Sequence, residues 1–212
     1  MIEIVGFAEE SFLKLYYSPL TSAFRPRWVL EETGQAHELV RLSLSAADLK
    51  NPDYLAIHPH GQVPALVDGD LVLIESAAIC MYLAERDPQG LLLPPADLAA
   101  RGRYYQWILY AMESLAPVVH PVYLRWFLAA PADRPHVATD ADHAAIARML
   151  APVSASLGQH PFLLGERITT ADIVLGGVLQ WADAASLLRD QPTARAYHDR
   201  LRARPAYQRA YT

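Results

Sequence analysis

The sequence has 212 residues, of which 52% are hydrophobic, and a formal net charge of −5 at pH 7. This length allows one large or two small domains, and the apolar content excludes a long disordered chain. The acidic balance argues against a nucleic-acid partner, and no apolar stretch is long enough to span a membrane.

The single cysteine, Cys80, excludes an internal disulfide and is typical of proteins in a reducing compartment. Residues 1–12 contain three glutamates and no basic residue, whereas a secretory signal begins with a basic segment. We therefore expect a cytoplasmic protein in which residues 1–12 form an N-terminal extension. The eight histidines show no spacing typical of metal ligands, so we expect no metal site.

Residues 13–87 alternate between strand and helix patterns. Leu13 to Tyr17 is a β-rich run, Ala23 to Glu32 has a helical pattern, and Ala36 to Leu44 is a second strand pattern. This order predicts two parallel strands joined by a crossover helix. A short irregular helix is predicted over Ala46 to Ile57.

A hairpin and another helix complete this half of the chain. Two apolar runs, Ala65 to Val67 and Leu71 to Ile74, flank Asp68-Gly69, which is a strong hairpin signal. Glu75-Ser76 then opens an apolar helix. The order βαβαββα predicts an α/β, thioredoxin-like N-terminal domain over residues 13–87.

The second half shows helical patterns only. Residues 88–97 contain several prolines and predict a linker, and residues 98–212 predict an all-α C-terminal domain. Pro117 and Pro121 are expected to kink or divide its first long helix. Thr169 to Asp172 has the spacing of a capping box, which marks the start of a later helix.

The stretch around Pro64 has the features of a site for an extended peptide. Pro64 lacks an N–H group, and a cis bond before it would leave the backbone of Val63 free to pair with a ligand. The helix that opens at Ser76 offers unpaired N–H groups that favour a carboxylate. An ordinary hairpin that leads into a helix is the alternative interpretation.

Several motifs in order resemble the glutathione S-transferases. Gly-Gln-Val-Pro-Ala-Leu at 61–66, Asp68-Gly69 and Glu-Ser-Ala-Ala-Ile at 75–79 resemble the glutathione-binding region of that family. Motifs of the helical half, including Thr-Thr-Ala-Asp at 169–172, extend the resemblance over residues 13–209. The chain is most similar to bacterial, beta-like or theta-like cytosolic members, with Ser22 where the beta type carries a cysteine.

This resemblance implies which residues bind glutathione, the expected co-substrate. The backbone of Val63 would pair with the cysteinyl unit, and Pro64 would be cis. Glu75 and Ser76 would hold the γ-glutamyl end. Gln62 would reach the glycine carboxylate, with His60 or Lys50 as further candidates.

The family's chemistry is the activation of the glutathione thiol. A free thiol has a pKa of about 8.5, and a hydrogen bond donated to the sulfur favours the thiolate. The first strand is followed by three hydroxyl side chains, and we rank Ser22 first, Thr21 second and Ser18 third as the donor. The alternative is that all three cap the following helix.

The second substrate is expected to be a small, mostly apolar electrophile held between the domains. The predicted pocket residues are Tyr105, Tyr110 and Glu113, with Pro117 and Trp126 as further candidates, although aromatic residues at this spacing are also typical of a core. The resemblance implies a glutathione transferase and a homodimer. Alternatives are another glutathione-dependent enzyme (an isomerase, dehalogenase or peroxidase) and a non-catalytic binding protein.

Overall fold

The computed structural model describes residues 12–211, so the predicted extension over residues 1–12 lies almost wholly outside it. Its first half follows the predicted order of strands and helices, with one helix more than expected. The elements are β1 (Leu13–Tyr17), α1 (Phe24–Thr33), β2 (His37–Arg41), α2 (Ala46–Leu49), α3 (Pro52–Ile57), β3 (Ala65–Asp68), β4 (Leu71–Ile74) and α4 (Ser76–Arg86).

The four strands form one sheet in the order β2-β1-β3-β4. β1 pairs in parallel with β2 and antiparallel with β3, and β3 pairs antiparallel with β4 across the Asp68-Gly69 turn. Gly69 has φ 58°, a conformation that glycine adopts without steric cost. Leu13 and Leu15 alternate into the core and are fully buried. The predicted thioredoxin-like arrangement is confirmed.

The segment predicted as one irregular helix forms two short helices, α2 and α3. Pro52 begins α3 at a position where its missing N–H costs nothing, and the Asn51 side chain accepts a hydrogen bond from the Asp53 N–H. The break between the helices therefore follows from local capping.

The second half is entirely helical among the described residues, as predicted. Its elements are α5 (Leu98–Leu109), a π-helical segment (Tyr110–Leu115), α6 (Ala116–Leu128), a 3₁₀ turn (Arg134–His136), α7 (Asp140–Leu157), α8 (Thr170–Ala184), α9 (Pro192–Arg202) and α10 (Pro205–Tyr211). Within residues 12–211, every helix is too short or too polar to cross a bilayer.

The division between α5 and α6 is the π-helical segment, which ends two residues before Pro117. Proline removes a hydrogen bond to the preceding turn, and its ring needs space there. A wider π turn provides that space. The predicted division of this helix occurs just before Pro117, whereas Pro121 lies inside α6, which continues to Leu128.

Helices α8 and α10 both connect the helical half to α1. Helix α8 is buried along nearly its whole length and packs on α1. Gly176 faces Trp28, and a Cβ atom on Gly177 would lie only 2.5 Å from the Arg25 side chain. The two glycines therefore allow α8 to approach α1 closely.

The start of α8 is fixed by Asp172, which is fully buried. Its Oδ2 accepts hydrogen bonds from the N–H and hydroxyl groups of Thr169 at 2.8 and 3.0 Å. Its Oδ1 accepts from the Leu163 N–H at 2.8 Å and from the Tyr197 hydroxyl at 2.7 Å. Asp172 therefore joins the start of α8 to the loop before it and to α9.

We expect Asp172→Ala to lower the free energy of unfolding by about 3 kcal/mol, because four buried donors lose their acceptor. Urea denaturation measures the change. Asp190→Ala is the control: Asp190 is exposed and pairs only with its neighbour Arg189 in the described structure, so a loss below about 0.5 kcal/mol is expected. Equal losses in the two variants would contradict this role for Asp172.

Candidate functional site

Two adjoining cavities lie between the sheet and the helical half. The first has a volume of about 330 Å³ and the second of about 360 Å³. The first is lined by Ser22, Arg25, His58, Gln62, Val63, Pro64, Glu75, Ser76, Met112, Ala116, Pro117, His120 and Trp181. The second shares Ser22, Gln62, Val63, His120 and Trp181, and adds Leu20, Thr21, Leu44, Leu49, Tyr123, Leu124 and Phe127.

All five predicted glutathione-binding residues, Gln62, Val63, Pro64, Glu75 and Ser76, line the first cavity. The structure therefore brings together the loop before β3 and the start of α4. By contrast, Lys50 and His60 line neither cavity. The Lys50 ammonium group donates to the carbonyl of His60 at 2.9 Å, on the exposed surface.

Local contacts fix the backbone conformation of the loop before β3. The Val63–Pro64 peptide bond is cis, as the resemblance implied. The Tyr54 hydroxyl donates to the carbonyl of Gln62 at 2.5 Å. Gly61 has φ 57°, and a Cβ atom there would lie 2.1 Å from the carbonyl oxygen of Leu49, so this position requires glycine. These constraints present Val63 to the cavity in one conformation.

At the other side of the first cavity, the residue before α4 has an unusual backbone conformation. Glu75 has φ 70°, which is rare for a residue with a side chain and is typical of functional sites. Ser76 follows as the first residue of α4 and is buried. The free N–H groups of this helix start add partial positive charge at the cavity.

Ser22 is the predicted thiol donor that lines both cavities. Its hydroxyl donates to the carbonyl of Val63 at 3.3 Å. The Thr21 hydroxyl donates to the carbonyl of Ser18 at 2.7 Å and accepts from the Ala23 N–H. Ser18 is buried and lines neither cavity. The geometry therefore favours Ser22 over the other two hydroxyls.

The alternative role of these hydroxyls, capping α1, applies poorly to Ser22. The residue at the N-cap of α1 is Ala23, and no side chain caps it. Thr21 makes the local hydrogen bonds typical of a turn. Ser22 contributes its hydroxyl to the cavity instead.

Tyr105, Tyr110 and Glu113 do not line either cavity, so their positions do not support the predicted second-substrate role. Tyr105 is 42% exposed, and Glu113 is also exposed. The Tyr110 hydroxyl donates to the carbonyl of Met149 at 2.8 Å and so joins the π-helical segment to α7. Of the further candidates, Pro117 lines the first cavity together with Met112, Ala116 and His120, and Trp126 lines neither cavity.

Arg25 is a charged cavity residue that was not predicted from the sequence. It is 1% exposed and lines the first cavity. Burial lowers the pKa of its guanidinium to about 10, so it remains charged at neutral pH. A charged residue on the apolar face of α1, next to Trp28 and Val29, is the signal that points to it.

His120 lies on the border between the two cavities. Its ring packs against Trp181 with the centroids 5.1 Å apart. Partial burial, and then the charge of Arg25, lower the pKa of His120 below its usual value of 6.5. His120 is therefore neutral at pH 7 and adds a polar but uncharged group to the site.

Cys80, in contrast, is buried, and burial strongly raises the pKa of its thiol.

Comparison with known proteins identifies the family. The model of the glutathione S-transferase N-terminal domain matches residues 12–85, and that of the C-terminal domain matches residues 136–207. A probable glutathione S-transferase GSTF2 of Oryza sativa subsp. japonica is 34% identical over 206 residues, covering 93% of this chain and 94% of that protein. The glutathione S-transferase GstA of Escherichia coli O157:H7 is 32% identical, with 93% and 96% covered.

A solved structure shows the same fold. It is a glutathione transferase family member from Pseudomonas fluorescens pf-5 with two glutathione bound, and it is 26% identical to this chain. The TM-score is 0.81, and the match covers 96% of this chain and 94% of the other. The fold, the family models and the near full-length relatives agree: this chain belongs to the glutathione S-transferase family.

Proposed function

We propose that this glutathione S-transferase joins the thiolate of glutathione to an electrophilic carbon of a small, mostly apolar substrate. The observation that carries the proposal is the position of Ser22 at the boundary of a polar and an apolar cavity. The first cavity contains all five predicted glutathione-binding residues. Sulfur bound beside Ser22 therefore faces the second cavity, where the electrophile is held.

Glutathione would lie along the first cavity with its backbone beside Val63. Its γ-glutamyl end would reach Glu75 and Ser76 at the start of α4, and Gln62 would face the glycine carboxylate. A relative of the same fold has been solved with two glutathione bound, which supports this class of ligand.

Ser22 would activate the thiol by donating its hydroxyl hydrogen to the sulfur. Lowering a thiol pKa by about two units requires roughly 2.7 kcal/mol of preference for the thiolate. The present hydrogen bond from Ser22 to Val63 is long for two oxygens, at 3.3 Å, so the hydroxyl can turn to a sulfur at little cost. Serine at this position would make no mixed disulfide with glutathione.

The electrophile would occupy the second cavity. Its walls include Leu20, Leu44, Tyr123, Leu124 and Phe127, which favour an apolar or aromatic molecule. These residues replace Tyr105, Tyr110 and Glu113 as our candidates for binding the second substrate.

The alternatives from the sequence remain open at the level of the reaction. An isomerase, a dehalogenase or a peroxidase uses the same glutathione thiolate, and a non-catalytic protein would bind glutathione without lowering its thiol pKa. A panel of electrophiles separates the first three, and thiolate absorbance of the bound ligand identifies the fourth.

We also propose a cytoplasmic location, since the one cysteine is unpaired and buried.

We further propose that the protein is a homodimer that uses both domains in its interface. Leu98, Tyr105 and Leu109 recur at helical spacing on α5 and expose large apolar surfaces. Leu71 and Val72 do so on the edge strand β4. Exposed apolar surface concentrated on one helix and one edge strand supports a contact between proteins there.

Ser22→Ala is expected to lower kcat with glutathione and a chloronitrobenzene about 100-fold, because the thiolate loses its hydroxyl donor. The Kd for glutathione, measured by calorimetry, should change by less than about threefold, since the ligand's other contacts remain. Thr21→Val is the matched control and should keep most of the activity. If Thr21→Val shows the large loss and Ser22→Ala does not, Thr21 is the donor.

Leu109→Asp is expected to halve the molecular mass measured by light scattering, because it places a charge in the proposed interface. Leu128→Asp is the control: Leu128 is 73% exposed on α6, compared with 59% for Leu109 on α5. An unchanged mass in the Leu109 variant, or a monomeric parent protein, would refute the proposed interface.

A further inference from the structure

His120 is a polar side chain that the helical half contributes to the junction of the two cavities. It belongs to α6 and lines both cavities, as Ser22 of the thioredoxin-like half does. A sulfur bound beside Ser22 and an electrophile in the second cavity would therefore meet where the imidazole of His120 forms part of the wall.

Aromatic packing supports the imidazole ring of His120. Its centroid lies 5.1 Å from that of Trp181, which is buried. The Trp181 ring is stacked on Tyr123, with the centroids 5.4 Å apart, and lies against the guanidinium of Arg25, whose Cζ atom is 4.5 Å from the ring centroid. Because its partners fix Trp181, His120 rests on a rigid surface, which favours a precise contact with a ligand.

The other hydrogen-bond donors of the second cavity are in use or inaccessible. The Thr21 and Tyr123 hydroxyls donate to backbone carbonyls at 2.7 and 2.8 Å. The indole N–H of Trp181 is buried and has no partner among the described residues, so a ligand does not reach it. The amide of Gln62 is assigned to the glycine carboxylate under the proposed function. His120 is exposed, and within the described part of the chain its ring nitrogens have no hydrogen bond, so its N–H is available to a ligand.

The charge state of His120 suits a donor that works beside a thiolate. Partial burial and the charge of Arg25 lower the pKa of His120, so the imidazole is neutral at pH 7. An imidazolium would tend to give its proton to a neighbouring thiolate and so remove the nucleophile. A neutral imidazole N–H is a far weaker acid, so it donates a hydrogen bond while the thiolate stays ionised.

An α,β-unsaturated carbonyl compound is an electrophile that such a donor activates. As the thiolate sulfur bonds to the β-carbon, the electron pair of the carbon–carbon double bond moves toward the carbonyl group, and the carbonyl oxygen becomes an enolate oxygen. Water then protonates the α-carbon and so returns the proton that the glutathione thiol released to solvent. The negative charge develops on one oxygen, where a positioned donor lowers the barrier.

We propose that His120 is a catalytic residue that makes this enzyme favour apolar or aromatic α,β-unsaturated carbonyl compounds, by donating its imidazole N–H to the carbonyl oxygen as that oxygen gains negative charge. This inference rests on the proposed function, because it requires a glutathione thiolate beside Ser22. It narrows the second substrate from electrophiles in general to those whose reaction forms an oxyanion.

The test compares two aromatic electrophiles: benzylideneacetone, which forms an enolate, and benzyl bromide, which has no oxygen and releases bromide. His120→Phe keeps a ring against Trp181 and removes both nitrogens. After correction for the uncatalysed reactions, we expect kcat/KM with benzylideneacetone to fall about 100-fold, the effect of losing one oxyanion donor. With benzyl bromide kcat/KM should change less than about threefold, because this reaction makes no demand on the donor.

Two conservative variants separate a chemical role from a structural one. His120→Asn and His120→Gln place an amide N–H near the position of one or the other ring nitrogen. We expect one of them to keep an activity with benzylideneacetone at least ~10-fold above that of His120→Phe, since it restores the donor. A merely structural role of His120 would lower the rates with both electrophiles equally.

His136→Phe is the matched control. It removes an exposed imidazole from the 3₁₀ turn after α6, and His136 lines neither of the two cavities. The ratio of the two activities should stay unchanged in this variant.

The outcomes separate this inference from the proposed function. A parent enzyme that uses neither electrophile refutes the proposed function. A parent enzyme that uses benzyl bromide but not benzylideneacetone, or a folded His120→Phe variant with an unchanged ratio, overturns the role of His120 alone. If His120→Phe does not fold, a crystal structure of the parent enzyme with the thioether product decides. We expect the carbonyl oxygen within about 3.2 Å of a ring nitrogen of His120, and an oxygen directed away from α6 overturns the inference.

Discussion

The close contact between α8 and α1 is the constraint on which the site depends. Gly176 and Gly177 let the two helices approach, and the Arg25 side chain fills the remaining space. This contact places a buried cation beside Ser76 and the Trp181 ring over it. The four hydrogen bonds that Asp172 accepts fix the start of α8. This position is needed for the later residues of α8 to meet α1.

The two halves of the chain contribute different walls to the two cavities. The polar side is built on the thioredoxin-like half, where a cis-proline loop and a helix start present backbone groups to a peptide. The apolar wall comes mainly from α6, with Tyr123, Leu124 and Phe127. Ser22 lines both cavities, so under the proposed function a thiolate bound to one half would meet an electrophile bound to the other.

The residues predicted for the second substrate differ from those that line the cavities for a structural reason. The prediction of Tyr105, Tyr110 and Glu113 assumes one long regular helix, in which residues at regular spacing share a face. The π-helical segment at Tyr110–Leu115 breaks that regularity, and the residues of this region that line the cavity are Met112 within it and Ala116, Pro117 and His120 of α6. Tyr105 lies on the exposed surface of α5, within the surface that we propose as the dimer interface.

The order of strands and helices, the hairpin at Asp68-Gly69 and the division near Pro117 could be predicted from the sequence, because they follow from local turn chemistry and hydrophobic periodicity. The expected glutathione-binding residues came from the resemblance to a family. The hydroxyl that lines both cavities, the helix face that forms the apolar wall and the contact of Arg25 with Ser76 became visible only in the three-dimensional structure. Those facts depend on how α8 packs against α1. Packing between elements distant in sequence is fixed by shape and buried charge, and neither can be read from a local pattern.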